Sequence, residues 1–481
     1  MHPYSIFRIV GLFAILFGLT LSAPILIALW YQDGEVANFL VPMAGSLTLG
    51  LLLWLTGRLR PTNLGVRDGF LVVVLFWLLL SLLGAWPLMC SAHLSPMDAL
   101  FEAASGITTT GATVITGLDG LPRSLLFYRQ QLQWLGGMGL IVLGVAVLPM
   151  LGIGGMQIYR AEAPGPLKEE KITPRLAETA RALWRIYLLL TLACALGYWL
   201  AGMDLFDAVA HSLATVSTGG FSTHDASIGY FQSAAVEAVA VLFMLLASIN
   251  FGVHYAVLIR RDPLQWFRDV EARTFLLFVL AVTIFVGFIL RQQGGYEHWH
   301  PSLRDATFEV VSVVTSTGFG TVDFSHWPEM LPVLLILISF VGGCGGSTAG
   351  GMKVMRVLLL ARQGALEVRR LIHPHAYLPL RLGRRVIDER LMQSIWGFFA
   401  VYMVAFGLLV MLMIHAGLDK VSAFAAVATC MNNLGPGLGQ VAYNFRSVSD
   451  FGKLIGAFAM LLGRLEVFTI LVLLSPDFWR R

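Results

Sequence analysis

DALFEAASGITTTG at residues 98–111, DAVAHSLATVSTGG at 207–220, DATFEVVSVVTSTG at 305–318 and SAFAAVATCMNNLG at 422–435 are four versions of one pattern. Each runs thirteen residues from an Asp or Ser, residue types that cap helix N-termini, to a glycine. A long apolar span precedes and follows every copy. The closing glycines stand 109, 98 and 117 residues apart. That is too far for a stacked solenoid repeat, so each copy reads as part of a membrane hairpin. Four such units about one axis make a pore.

Of the 481 residues 57% are hydrophobic and 13% charged, with a mean hydropathy of +0.74. This balance excludes a soluble globule and predicts a polytopic membrane protein. Stretches long enough to cross about 30 Å of hydrocarbon fall at 6–30, 37–57, 69–91, 126–150, 183–202, 234–259, 274–291, 329–360, 391–416 and 454–475. The first exceeds a signal-peptide core and ends in the interfacial pair Trp30 and Tyr31, so it reads as a retained helix. From the third crossing on, each thirteen-residue unit lies between two crossings and is too short to span, which makes it re-entrant. Cys90, Cys194, Cys344 and Cys430 have no paired spacing and suggest neither zinc nor a disulfide framework.

Lysine and arginine test this topology independently, because cytoplasmic loops collect them. With the N-terminus inside, 25 of the 33 basic residues fall on the cytoplasmic side: Arg8, Arg480, Arg481 and those within 58–67, 160–185, 260–273 and 353–390. The outer side receives Arg123, Arg129, Arg291, Arg304, Lys420, Arg446 and Lys453, and Arg464 is left inside a span. Ten crossings with both termini cytoplasmic follow, and all four re-entrant units open to the outer face.

A helix entering from outside points its partially negative C-terminus at the bilayer centre, and four converging ends favour a cation. The hexapeptides at the turning points are TTGATV (109–114), TGGFST (218–223), STGFGT (316–321) and NLGPGL (433–438). Their glycines let the backbone adopt conformations that turn carbonyl oxygens inward. Rings of carbonyls replace the hydration shell of an alkali cation, whereas divalent pathways use carboxylate rings; uncharged hexapeptides therefore point to a monovalent ion. Such backbone is tolerated at membrane depth where it is buried in protein or lines a water-filled path. No nucleophile with its base and no metal cluster suggests an enzyme, and no motif binds nucleotide or nucleic acid.

Two further features lie on the expected path. GGCGGSTAGG at 342–351 places six glycines in ten residues of an apolar span. Each interior glycine costs a helix about 1 kcal/mol relative to alanine, so the span is expected to break into a flexible loop; no GKS or GKT follows to make a phosphate loop. Lys353 lies just beyond, either as part of that feature or as a cytoplasmic anchor. Arg464 sits ten residues into the last span, where an unpaired cation is costly in lipid, and should face the path or a partner. Glu466, two residues on, lies on another helix face and is not its natural counterion.

Four tandem helix, pore-loop, helix units with single-glycine filters resemble the Trk/Ktr/HKT superfamily of potassium transporters, within it the bacterial TrkH branch, over about 69–475, with the two extra N-terminal spans fitting too. The resemblance implies an all-α polytopic membrane protein of potassium-channel-like pseudo-fourfold plan: two extra helices at 1–68, then pore repeats at 69–157, 158–260, 261–390 and 391–481. It implies potassium bound at a filter of Thr109, Thr110, Gly111, Thr218, Gly219, Gly220, Thr317, Gly318, Asn433, Leu434 and Gly435. Gly220 aligns without a gap and is preferred to Gly219 as the second filter glycine, and Leu434 makes the fourth repeat the most divergent. It implies an intramembrane gate from Gly342, Gly343, Gly345, Gly346, Gly350 and Gly351, with Lys353 and Arg464 beside it. It also implies a homodimer in the bacterial inner membrane and a cytosolic nucleotide-binding partner of the TrkA type.

Glu102 and Glu309 hold matching positions in the first and third units and are read as braces or as helix support. Asp119, Asp225 and Asp323 follow three of the filters closely, either enriching cations at the mouth or serving as turn residues. His2, His224, His298, His300, His373 and His375 are scattered through loops. Residues 353–390 carry nine basic residues, suited to anionic lipid or a docked regulator. A proton- or sodium-coupled symporter is the competing reading, although it would need a titratable midplane site and few carboxylates fall at depth.

Overall fold

The computed structural model describes residues 3–58, 65–146, 176–293, 295–376, 378–382 and 385–480. The end of the 126–150 crossing, the 157/158 boundary and most of the basic 160–185 stretch fall outside these residues. Apart from a two-stranded ladder, Arg381–Leu382 on Arg385–Val386, the regular structure described is helical.

The N-terminal pair consists of α1 (Pro3–Thr20), its near-continuation α2 (Ser22–Tyr31), and α3 (Val36–Arg58). Helices α1 and α3 pack backbone to backbone: a Cβ on Gly11 would lie 2.6 Å from the Gly50 carbonyl oxygen, and one on Gly57 2.5 Å from Tyr4 O. Small residues at the contact are how helices associate where lipid is as apolar as the side chains.

Four helix, re-entrant helix, helix units follow. Repeat 1 is α4 (Val66–Ser91), α5 (Pro96–Ile107) and α6 (Arg123–Ala146). Repeat 2 is α7 (Leu176–Leu200), α8 (Leu205–Val216), α9 (Ala234–Ala247) and α10 (Phe251–Arg260), joined by the short α11 (Gln265–Arg268) to repeat 3. Repeat 3 is α12 (Val270–Gln293), α13 (Trp299–Val314), α14 (Met330–Ser339) and α15 (Val354–Ile372). Repeat 4 is α16 (Glu389–His415), α17 (Lys420–Asn432), α18 (Asp450–Arg464) and α19 (Phe468–Leu474), before a last turn, α20 (Pro476–Trp479).

One expectation is corrected and two are extended. Asp98, Asp207 and Ser422 are not N-caps but third residues of their helices; the caps stand three positions earlier, where side chains of Ser95, Asp204 and Asp419 accept the backbone N–H of Asp98, Asp207 and Ser422. Asp or Ser at the third position suits the same dipole and imitates a cap in sequence. In repeat 3 the helix begins earlier still, at Trp299, and Asp305 lies inside it, accepting the Tyr296 hydroxyl at 2.7 Å.

Second, six helices among the described residues are long and apolar enough to cross a membrane on their own, or eight if each bent pair is one span, so two of the ten expected crossings are not single long apolar helices there. The other two are α6, whose inner face carries Arg129, Gln130 and Gln133, and α14, only ten residues long before the glycine-rich segment. Third, the break expected in repeat 3 has counterparts: α9 and α10 meet at 96°, and α18 and α19 at 112°. At the first, Asn250 Oδ1 accepts Gly252 N at 2.7 Å and starts a new helix; at the second, Glu466 and Val467 have φ of 56° and 51°.

Re-entrant helices are buried on nearly every side, so small residues decide their packing. A Cβ on Gly136 of α6 would overlap the Ile107 carbonyl at the end of α5, and one on Gly463 of α18 would overlap Met431 O of α17. Gly364 and Gly407 have open space. Gly136→Ala and Gly463→Ala are expected to cost about 1–3 kcal/mol or more by overpacking, and to reduce the monodisperse fraction on size-exclusion chromatography. Gly364→Ala and Gly407→Ala should elute as the native protein does.

Candidate functional site

All four re-entrant helices end in the same backbone motif. The N–H groups of Thr110, Gly219, Thr317 and Leu434 reach back to the carbonyls of Ser105, Ala214, Ser312 and Thr429 at 2.8–2.9 Å. The residues just before them, Thr109, Thr218, Ser316 and Asn433, are left-handed, with φ between 53° and 56°. This is the Schellman ending, with a non-glycine residue in the position glycine usually takes. Two residues further on stand Gly111, Gly220, Gly318 and Gly435, with φ of 82°, 80°, 79° and 97°. Gly220, not Gly219, therefore occupies the equivalent position in repeat 2.

These glycines close a ring. A Cβ on Gly111 would overlap the carbonyl oxygen of Gly219, one on Gly220 that of Thr317, and one on Gly318 that of Leu434. On Gly435 it would lie 2.8 Å from Thr110 O, which returns the cycle to repeat 1. Positive φ and lack of room both demand glycine here. Of the carbonyls at 109–111, 218–220, 316–318 and 433–435, only that of Gly219 accepts a hydrogen bond among the described residues, from Gln133 Nε2 at 2.6 Å. Buried carbonyls are nearly always paired, so this set is arranged to receive something else. Thr109, Thr110, Thr218, Thr317, Asn433 and Leu434 are all buried within it.

Behind the ring, side chains hold the outgoing strands. Glu102, nine residues before Gly111, accepts Val114 N at 2.8 Å and is held by Arg129 Nη2 at 2.8 Å, both side chains 1% exposed. Arg129 also donates to the Ser222 carbonyl of repeat 2 at 3.2 Å and stacks on Phe221. Glu309, at the same position in repeat 3, accepts Thr321 N at 2.9 Å and Val322 N at 3.3 Å. Repeat 2 has His211 there, bonded to Ser222 Oγ at 2.9 Å, and repeat 4 has Ala426. In repeat 4 bracing moves to Asn433 Nδ2, which donates to Thr110 Oγ1 at 2.9 Å and Met460 O at 3.1 Å. The few carboxylates at depth include Glu102, Glu271 and Glu309, which are buried, and each accepts a backbone amide.

The outer loops repeat the cyclic order. Asp225 accepts Gly117 N and Leu118 N at 3.0 and 2.8 Å, joining repeats 2 and 1; Gly229 N donates to Gly320 O at 3.1 Å, joining 2 and 3. The Tyr443 hydroxyl donates to Asp323, joining 4 and 3, and Phe445 N to Thr113 O at 2.8 Å, joining 4 and 1. Asp119, Asp225 and Asp323 are thus tied between loops, rather than standing free as an acidic rim. Arg304 with Glu237 and Lys453 with Asp98 make inter-repeat ion pairs at 2.6 Å, which gives two of the outer basic residues a structural use.

Inside the ring lies the non-helical segment 340–353, most of it buried. Gly350 N donates to Ser316 Oγ at 2.5 Å, and a Cβ on Gly350 would overlap Asn432 O, so the segment abuts the inner ends of repeats 3 and 4. Gly342, Gly346 and Gly351 have φ of 68°, 71° and 76°, while Gly343 packs on Ser248. Expected as a flexible loop, it is instead tied at both ends and in the middle. Lys353 Nζ folds back on the Ala349 carbonyl. Arg464, at the bend between α18 and α19 and so in the middle of that broken span, donates Nη1 to Thr348 O at 2.9 Å; its Nε and Nη2 are buried with no hydrogen-bond partner among the described residues. Glu466 pairs instead with Arg356 at 2.7 Å.

The sequence reading missed Arg129, Gln133, Asn250 and Glu271. Only the polarity of Arg129 and Gln133 inside an apolar run signalled them.

A family model described as TrkH, cation transport protein, matches residues 36–481. The Trk system potassium uptake protein TrkH of Vibrio parahaemolyticus (serotype O3:K6) is 49% identical over 484 residues, covering the whole of both chains. The protein of the same name from Escherichia coli (strain K12) is 50% identical over 482 residues, again over the whole of both. The crystal structure of the potassium transporter TrkH from Vibrio parahaemolyticus matches with a TM-score of 0.92 at 47% identity, covering all of both chains.

His224 offers a test of the outer clasp. It is bonded to Asp119 at 2.5 Å and Asp207 at 3.1 Å and stacks on Tyr230. Burial disfavours its charged form, but bonds to the two carboxylates outweigh that and raise its pKa above 6.5. A raised pKa gives stability that is full below the unfolded value and lost as pH rises through the folded value. Thermal unfolding in detergent should therefore separate native protein from His224→Gln more widely at pH 5.5 than at pH 8.5. An equal gap at both would refute the clasp.

Proposed function

The chain belongs to the TrkH family of cation transport proteins and its activity is potassium uptake; from that premise we propose that the ion crosses along the axis of the four-loop ring. It is a transporter and not an enzyme. Potassium sheds water at carbonyls of Thr109, Thr110 and Gly111, of Thr218, Gly219 and Gly220, of Thr317 and Gly318, and of Asn433, Leu434 and Gly435. The observation that carries this is the ring itself: four glycines, each flush against the next repeat's carbonyl, with nearly all the surrounding carbonyls free of donors among the described residues. Such oxygens match a monovalent alkali cation, and the negative ends of α5, α8, α13 and α17 converge beneath them.

Below the filter the ion meets a gate made of Gly342, Gly343, Gly345, Gly346, Gly350 and Gly351 with Lys353 and Arg464. Arg464 adds a positive barrier that the loop carbonyl of Thr348 partly satisfies. The membrane potential supplies about 2.3 kcal/mol per charge per 100 mV. The protein sits in the bacterial inner membrane with both termini cytoplasmic, a topology that the distribution of basic residues supports. Its relatives are named for a Trk system, and it works as a homodimer with a cytosolic nucleotide-binding partner of the TrkA type, on the basic cytoplasmic face at 353–390.

Flux from proteoliposomes under a potassium gradient, with and without a pH gradient, tests this reading. The reversal potential should follow potassium and ignore protons; a proton-dependent reversal potential would favour the coupled symporter. Gly318→Ser puts a Cβ onto Leu434 O at a φ of 79°. It should lower potassium-over-sodium selectivity about tenfold, equivalent to roughly 1.4 kcal/mol, and unchanged selectivity would overturn the filter.

A further inference from the structure

We propose that Glu271 is the positioning residue that latches the glycine-rich loop shut, acting from a rigid hook at the junction of repeats 2 and 3. The proposal rests on the reading of 342–351 as the gate. Apart from its contacts with the ring, with Arg464 and with Val216 O at the end of α8, which accepts Thr348 Oγ1 at 3.1 Å, the loop is bonded to this hook. Cys344 N donates to Ser248 O at 2.9 Å, Phe251 N to Gly346 O at 3.1 Å, and Thr348 N to Ala247 O at 3.3 Å. Between them Gly345 N donates to Glu271 Oε1 at 2.7 Å.

Glu271 is 1% exposed, and its Oε2 has no hydrogen-bond partner among the described residues. Neutral Gln could accept the same amide proton, so the strength of the contact lies in an acceptor oxygen at this position. It also concentrates that strength at one removable point. The hook that carries it is internally fastened. His254 Nε2 bonds Leu246 O at 2.8 Å, Trp266 Nε1 donates to His254 Nδ1 at 3.1 Å, and Asp269 Oδ1 accepts Ala272 N at 2.9 Å. Residues 246–272 therefore bring Ala247, Ser248, Phe251 and Glu271 to the loop as one body. A displacement of the hook's exposed α10–α11 turn withdraws all four contacts together.

Cys344, fully buried in the loop, is a natural reporter. The test uses the full chain in proteoliposomes, with a membrane-impermeant cationic methanethiosulfonate applied to the cytoplasmic face. The reagent's sulfenyl group joins the Cys344 thiolate as a mixed disulfide and releases methanesulfinate. Cys344→Ala controls for reaction elsewhere.

Glu271→Met removes the acceptor while keeping volume. It should raise resting potassium flux and speed modification of Cys344 about tenfold, the change expected when one buried amide loses its acceptor. Glu271→Gln should restore both toward native values. Native flux and native Cys344 reactivity in Glu271→Met would overturn the latch, and so would Glu271→Gln as open as Glu271→Met. If Glu271→Met loses its folded elution peak, Glu271→Ala carries the same expectation. Failure of both to fold beside a folded Glu271→Gln would make Glu271 a support of the fold, also overturning the proposal. Rapid modification of Cys344 that leaves flux unaltered would instead sink the gate reading on which the latch rests, while the ring's selectivity stays a separate measurement.

Discussion

Four backbones meet so closely at Gly111, Gly220, Gly318 and Gly435 that no side chain fits between one repeat and the carbonyl of the next. This contact sets the distance between repeats, and the rest of the inner structure answers to it. To bring the glycines there, each re-entrant helix must stop and reverse within three residues. Thr109, Thr218, Ser316 and Asn433 do this in a left-handed conformation that costs an L-residue roughly 1–2 kcal/mol. Such strain persists only where neighbours over-determine the conformation. Glu102, Arg129, Glu309, Gln133 and Asn433 supply that determination from behind, and the outer loops tie the same cycle a second time.

The backbone constraint is common to the repeats while the bracing is not. At one structural position stand Glu102, His211, Glu309 and Ala426, each with a different set of partners. A single chain permits this, because symmetry is required only of the atoms that face the axis. Functions that need fourfold agreement can use carbonyls, and functions that need one decision can use a single repeat. The glycine-rich segment belongs to repeat 3, its anchor to repeat 2 and Arg464 to repeat 4. The inner side of the ring is accordingly lopsided.

Much of the ring was legible because glycine is tied to a conformation, not merely to a composition. Four glycines at one distance from four helix starts can be found without knowing any contact. Helix starts themselves were misplaced by three residues, because Asp98, Asp207 and Ser422 favour the first turn for the same electrostatic reason that favours a cap. Breaks at 248–250 and 465–467 were missed, since Ser248, Asn250 and Glu466 are single polar residues within long apolar runs and the bends serve tertiary contacts. Arg129 and Gln133 were read as a topological charge and an unremarked amide; their partners Glu102, Ser222, Gly219 and Phe221 lie 27 to 93 positions away. Burial of Arg464 followed from its depth, but Thr348 as its acceptor did not.

Glycine in the 342–351 segment reads differently once its surroundings are known. Gly342 and Gly351 lie against each other, Gly350 against Asn432, and Gly343 against Ser248, so the residue type serves close approach as much as mobility. Opening such a loop means breaking the bonds of Cys344, Gly345, Thr348 and Gly350 amides, the Gly346 carbonyl and the Arg464 guanidinium. At about 1 kcal/mol net each these approach 6 kcal/mol, well above the 2.3 kcal/mol that 100 mV gives one ion. On the proposed reading of this segment as a gate, an ion arriving from the ring lacks the energy to open the loop alone, and the remainder has to come through the elements that hold it.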